Sequence, residues 1–151
     1  MMAIGGVMKY LIAIRACLVL CLFCSFSFTS WAKDRAPLAI NGAQTINLAQ
    51  AKAYYMDGMA FIDIRRPYQY ENRHIPGAIN LFVNDQLNET NLRRYVQKGA
   101  DFIIYGNGAH SLQAAQAVEK AISWGFHKVS YFRDGLRSWM QDRSPLVERS
   151  K

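Results

Sequence analysis

The stretch that most restricts how this chain can fold runs from Phe61 to Leu81, FIDIRRPYQYENRHIPGAINL. Phe61-Ile62-Asp63-Ile64 is an apolar run interrupted by one acid, the pattern of a short strand covered on both faces, with Asp63 near its carboxyl end. Pro67 fixes its own φ and biases Arg66 away from the helical region, so the strand stops at Arg65-Arg66. A short helical segment can then begin over Tyr68, Gln69, Tyr70 and Glu71. Pro76-Gly77 forces a turn, after which Ala78-Ile79-Asn80-Leu81 supplies a second small strand.

The flanking sequence repeats the alternation. Thr45-Ile46-Asn47 reads as a short edge strand and Asn47 as the N-cap of a helix from Leu48 to Met56, closed by Asp57-Gly58, in which Leu48, Ala51, Tyr55 and Met56 share a face. Asn84 or Asp85 is expected to cap a helix from Gln86 to Gln97 that Gly99 stops. Asp101 to Tyr105 is the next buried strand. Ser111 reads as the N-cap of a helix from Leu112 to Trp124, ended by Gly125, with Ala114, Ala115, Val118, Ala121 and Ile122 as its inner face. Lys128 to Phe132 is the last strand, and Gly135 to Met140 a short helix carrying Trp139. Strands and helices alternating at these lengths predict an α/β domain of three layers, a mostly parallel sheet of about five strands with helices on both faces.

Ile62-Asp63-Ile64-Arg65, Tyr70 and His74-Ile75-Pro76-Gly77-Ala78 resemble, in order and spacing, the first signature of the rhodanese-like domain, with Gln69 where glutamate is common and Arg73 where glycine is common. The resemblance continues through the helix beginning at Ser111, Gly125-Phe126, Val129, a turn in which Asp134-Gly135 replaces the usual paired glycines, and Trp139. It implies a rhodanese-like domain over residues 44–147, of the sulfurtransferase superfamily. In active members of that family the loop after the buried strand begins with a cysteine, roughly Cys-x-x-Gly-x-Arg-Ser, and carries sulfur as a persulfide. Backbone N–H groups at the helix N-terminus stabilise the thiolate there. An ungapped match on Ser111 places Gly108 on the loop glycine, His110 where arginine is usual and Tyr105 at the cysteine position. In the alternative match Tyr105 is the aromatic residue before the cysteine, and Gly106 replaces the cysteine in a loop one residue shorter. Neither alignment supplies sulfur.

All three cysteines, Cys17, Cys21 and Cys24, lie near the amino terminus. Lys9 and Arg15, the apolar run from Ala16 to Phe28, and the small residues of Ser30-Trp31-Ala32 have the layout of a secretory signal over residues 1–32, cut after Ala32, with Met8 as an alternative start. An uncleaved anchor is the competing reading, but the apolar run is at the short end for a membrane span. Export, to the periplasm or as a secreted protein, is the expected localisation, with membrane contact only through that segment if it is retained. Residues 33–43 read as a linker and 148–151 as a tail. The exported chain then has no cysteine for a disulfide, so its stability rests on its core. Lys9 and Arg15 account for 2 of the 18 basic residues, leaving 16 against 11 acidic ones, a net charge of +5. Those charges are dispersed and not interleaved with an aromatic platform, which argues against nucleic acid as a partner.

Within the resemblance, Asp63 and Arg65 read as a structural ion pair tying the strand end to its loop, and His74 as a hydrogen bonder of the Pro76-Gly77 turn. His110 and His127 lack metal-ligand company, so no metal and no cofactor are expected. A phenol such as that of Tyr105 titrates near pH 10 in water and makes a poor nucleophile at neutrality. The degenerate loop Tyr105, Gly106, Asn107, Gly108, Ala109, His110, Ser111 nevertheless keeps its glycines and leads into a helix. Gly106 to Ser111 are therefore expected to form a cup of N–H donors for a small oxyanion or a protein partner's carboxylate, with His110 adding charge when protonated. A cysteine placed at 105 or 106 is expected to regain a reactive thiol if that cup forms. The expected function is an exported binding module without sulfurtransferase chemistry; a thiosulfate sulfurtransferase using another nucleophile and a purely structural interaction domain are the alternatives.

Overall fold

Strands buried at every position must satisfy side chains on both faces of a sheet. Phe102–Tyr105 and Val129–Phe132 are such strands, with all four residues of each buried. The computed structural model describes residues 35–149. The segment read as a secretory signal, its cysteines and the last residues of the tail lie outside the described residues. In chain order the elements are β1 (Gln44–Ile46), α1 (Leu48–Met56), β2 (Ala60–Asp63), α2 (Pro67–Asn72), β3 (Arg73–His74), β4 (Ile79–Asn80), α3 (Glu89–Arg93), β5 (Phe102–Tyr105), α4 (Leu112–Ser123), β6 (Val129–Phe132), α5 (Gly135–Gln141) and β7 (Val147–Glu148).

The main sheet has five strands in the order β1-β6-β5-β2-β4, every pair parallel. Alternate side chains divide the core in two. Ile62, Phe102, Ile104 and Tyr131 face Leu92 of α3 and Ala114, Ala117, Val118 and Ala121 of α4. Phe61, Ile103, Tyr105 and Phe132 face Ala51 of α1 and Leu136 and Trp139 of α5. Each large side chain buried in this way contributes roughly 1.5–3 kcal/mol. The α/β reading with helices on both faces of a parallel sheet therefore holds. Its consequence for function is geometric: the carboxyl ends of β2, β5 and β6 lie side by side, and the three loops that follow them meet at one edge.

Several local expectations are corrected. The helix expected over Gln86–Gln97 is only Glu89–Arg93, because Asn88, not Asn84 or Asp85, is extended and caps it, its side chain accepting from Asn91 N at 2.8 Å. Before it, the amides of Asp85, Gln86 and Leu87 all donate to the Phe82 carbonyl in a turn that competes with helix. Met56 is 81% exposed, since five residues of helix carry it about 140° round from the buried Ala51. On α4, Ala117 is fully buried while Ile122 is only partly so, the inner stripe following 114, 117, 118 and 121.

The segments read as linker and tail are both held against the domain. Ala36 and Ile40 are buried, and Arg133 donates from Nη2 to Ala36 O and from Nε to Pro37 O, each at 3.1 Å. At the other end β7 pairs antiparallel with β3 (Arg73 with Glu148, His74 with Val147), and Arg149 N donates to Asn72 O at 3.1 Å. Among the described residues no helix is long and apolar enough to cross a membrane.

Candidate functional site

At the end of β2 the Asp63 carboxylate is fully buried and accepts from the Arg65 amide and Nε, both at 2.9 Å to Oδ1, and from Arg65 Nη2. The same Nη2 reaches the Arg73 carbonyl at 2.7 Å, and the Asn80 side-chain amide donates to the carbonyls of Asp63 and Arg65. This pair therefore ties β2, β3 and β4 together. Close by, the His74 ring stacks on Tyr70 at 3.8 Å, and its Nδ1 lies 2.7 Å from Tyr70 O. A carbonyl only accepts, so Nδ1 carries the proton. Tyr70 in turn donates its hydroxyl to Ala78 O, and Ala78 N closes a turn on Ile75 O around Pro76 and Gly77, whose φ of 77° needs glycine. Asp63, Arg65, His74, Pro76 and Gly77 thus form a brace at the edge of the site.

The loop Gly106–Ser111 leaves β5 beside that brace. The first turn of α5 clamps it: Leu136 N donates to Gly106 O and Arg137 N to Asn107 O, both at 3.0 Å, and Ser111 N closes on Gly108 O at 2.8 Å. The approach is close enough to require Gly135, whose φ is 53° and where a Cβ would lie 2.4 Å from Gly106 O and 2.9 Å from Gly108 N. With the carbonyls engaged, the amides of Asn107, Gly108, Ala109, His110 and Gln113 have no backbone acceptor among the described residues. Over them opens a cleft of about 670 Å³ that Arg137 and Ser138 of α5 also line.

Ser111 occupies the N-cap position of α4, but its hydroxyl makes no capping bond, which corrects the role expected of it. The side chain turns under the loop instead, and a Cβ on Gly106 would come within 2.6 Å of its Oγ. Two consequences follow. The uncapped first turn of α4 keeps a free donor, and a cysteine at 106 does not fit while Ser111 stays where it is. Tyr105 is no substitute for it. It is fully buried in β5, its ring edge-on to Phe61 at 6.2 Å, and its hydroxyl accepts from Ile75 N at 3.3 Å. Burial first, and the neighbouring Asp63 carboxylate second, push its pKa well above the ordinary phenol value. A cysteine at 105 would carry its thiol into the core under the sheet, away from the loop amides.

Beyond Asn107 a second cleft, of about 820 Å³, runs between α2 and α5 and gathers Arg65, Arg73, Arg137 and Arg149. In the sequence Arg65 reads as the ion-pair partner of Asp63, and Arg73 and Arg137 as dispersed surface charge; none reads as part of a cluster. Nothing local marks them, because they come from four separate places in the chain. Among the described residues no group of three or more metal-ligating side chains forms.

A parallel α/β domain with a glycine loop clamped over a helix N-terminus, at the carboxyl ends of its central strands, defines the class of this protein. The family model of the rhodanese-like domain matches residues 47–142, and the chain belongs to that family, whose fold is that of the sulfurtransferase superfamily. Among solved structures it is similar to a Bacillus halodurans protein, with 23% identity over 71% of this chain and 78% of that one and a TM-score of 0.64. The rhodanese-like domain of an Anabaena sp. protein matches at 26% identity over 69% and 78%, with a TM-score of 0.60. A human single-domain sulfurtransferase matches at 21% over 68% and 99%, with a TM-score of 0.56. At 23% and 21% identity the Bacillus and human likenesses are ones of fold.

Proposed function

We propose that this domain is a non-catalytic member of its family, working after export and binding a small oxyanion, or the carboxylate of a protein partner, on the loop from Gly106 to Ser111. The observation that carries this reading is the chemistry of the loop: residues 25–151 contain no cysteine, and the two positions where the family's nucleophile would fall are a buried Tyr105 and Gly106, which has no side chain. What remains is the set of free amides at Asn107 to His110 and Gln113, arranged at the amino end of a 12-residue helix. Such donors stabilise an anion without any covalent step. His110, exposed at the rim, adds positive charge when protonated.

The human structural neighbour is named a sulfurtransferase, so sulfur transfer from thiosulfate to cyanide is the deciding assay. The exported protein is expected to show no turnover above a heat-treated control, while titration with thiosulfate shifts the amides of residues 107–113. Turnover that survives purification overturns the proposal, as does a titration in which none of those amides moves.

A further inference from the structure

The cleft beyond Asn107 combines features a solvated basic face lacks. Its walls carry the guanidinium groups of Arg65, Arg73, Arg137 and Arg149 together with Tyr68 and Asn107, and among the described residues no carboxylate lines it. Arg65 is held rigidly, its side chain only 4% exposed, with Nε and Nη2 committed to Asp63 and the Arg73 carbonyl. Its remaining Nη1 has no hydrogen-bond partner among the described residues. Arg73 Nε forms an ion pair with Glu148 Oε1 at 2.7 Å, out of line for a hydrogen bond. Arg137 is exposed and pairs with no acid among the described residues. Like charges brought together repel, and while Asp63 and Glu148 answer Arg65 and Arg73, no acid among the described residues answers Arg137.

We propose that this cleft is a second oxyanion site, taking the phosphate, sulfate or carboxylate group of a small organic acid between Arg65 Nη1 and the guanidinium of Arg137. Planar forked donors match such groups in geometry as well as charge. Leu136 and Met140 supply an apolar floor and Tyr68, 64% exposed, an aromatic rim for the body of the ligand. The site is distinct in its chemistry from the loop: side-chain guanidiniums bind here, backbone amides there. The two clefts meet at Asn107 and Arg137, so a ligand with acids at both ends spans them.

The test is an NMR titration of the full chain with inorganic phosphate, with sulfate and acetate in parallel, recording backbone amides and arginine Nε–H signals. Saturable shifts of the Arg65 and Arg73 Nε–H groups and of the amides from Tyr68 to Asn72 are expected. Arg137→Gln and Arg149→Gln, both at exposed side chains, are each expected to weaken binding about three- to tenfold, the worth of one charge-assisted contact near the surface. Lys128→Gln makes the same change of charge at the opposite end of the sheet and should leave binding unaltered. Shifts that rise without saturation, or an equal loss in Lys128→Gln and Arg137→Gln, overturn the second site. Saturable movement confined to residues 107–113 also overturns it while leaving the loop reading intact; movement confined to the arginine cleft supports it and removes the loop.

Discussion

Gly135→Ala is the substitution whose cost the structure defines most sharply. A side chain at φ 53° incurs roughly 1–2 kcal/mol from the left-handed backbone alone. The new Cβ would also sit 2.4 Å from Gly106 O, an atom that cannot swing aside because it belongs to the backbone and accepts from Leu136 N. Relief requires α5 to back away from the loop, breaking the bonds from Leu136 N and Arg137 N, each worth about 0.5–1.5 kcal/mol net. A total of about 2–5 kcal/mol follows from these terms, against the 5–15 kcal/mol of overall stability typical of a domain. Urea denaturation should show a lowered midpoint at unchanged slope, and heating a melting temperature lower by about 10 °C or more. The amide signals of Gly106 to Gly108 should move in the folded variant. A loss below about 1 kcal/mol, with those signals in place, would refute the idea that glycine is needed for the helix to clamp the loop.

Arg65→Met leaves the Asp63 carboxylate buried and without its partner, and should lower stability at pH 7 by about 3–5 kcal/mol, whereas the double variant with Asp63→Asn should lose far less than the two single changes summed. Additive losses in denaturant midpoints would show that the two side chains do not act as a pair. Alkaline stability is a third measurement. Tyr105 and Tyr70 have folded-state pKa values raised by burial first and Asp63 second, so above the unfolded phenol value of about 10 the unfolded chain releases protons that the folded one retains. Stability should therefore hold to about pH 10 and then fall as pH rises, by up to about 1.4 kcal/mol per pH unit for the fully buried Tyr105 and by less for the partly exposed Tyr70, with Tyr105→Phe making the fall shallower. A slope above pH 10 that Tyr105→Phe does not change would contradict the account of Tyr105.

Features set by neighbouring residues were legible before any coordinates. Asn47 caps α1, its side chain accepting from the Gln50 amide, and Pro76-Gly77 makes its turn, because each depends on groups within a few residues. The apolar runs at Phe61 and Phe102 marked strands buried on both faces for the same reason, and their alternation with helices was enough for the α/β architecture. Even local reading failed where two local patterns competed: Asn88 and the turn on Phe82 O shortened the helix expected from Gln86, and the Ser111 hydroxyl turned under the loop instead of capping α4.

The position of the glycine loop could be read from the sequence, but not what surrounds it. Gly135 is 29 residues beyond Gly106, and only the docking of α5 explains why it must be glycine. The clasp of β3 with β7 joins residues near 73 to residues near 148, and the arginine cleft gathers side chains from α2, β3, α5 and the chain beyond β7. Hydrophobic period and turn chemistry act over one element at a time, so the sequence by itself determined the elements, their order and the absence of a cysteine from residue 25 onward. Which charges converge, which donors stay free and which glycine has no room for a methyl group were decided by the packing of elements distant in the chain, since those quantities exist only once the parallel sheet has brought its loops to one edge.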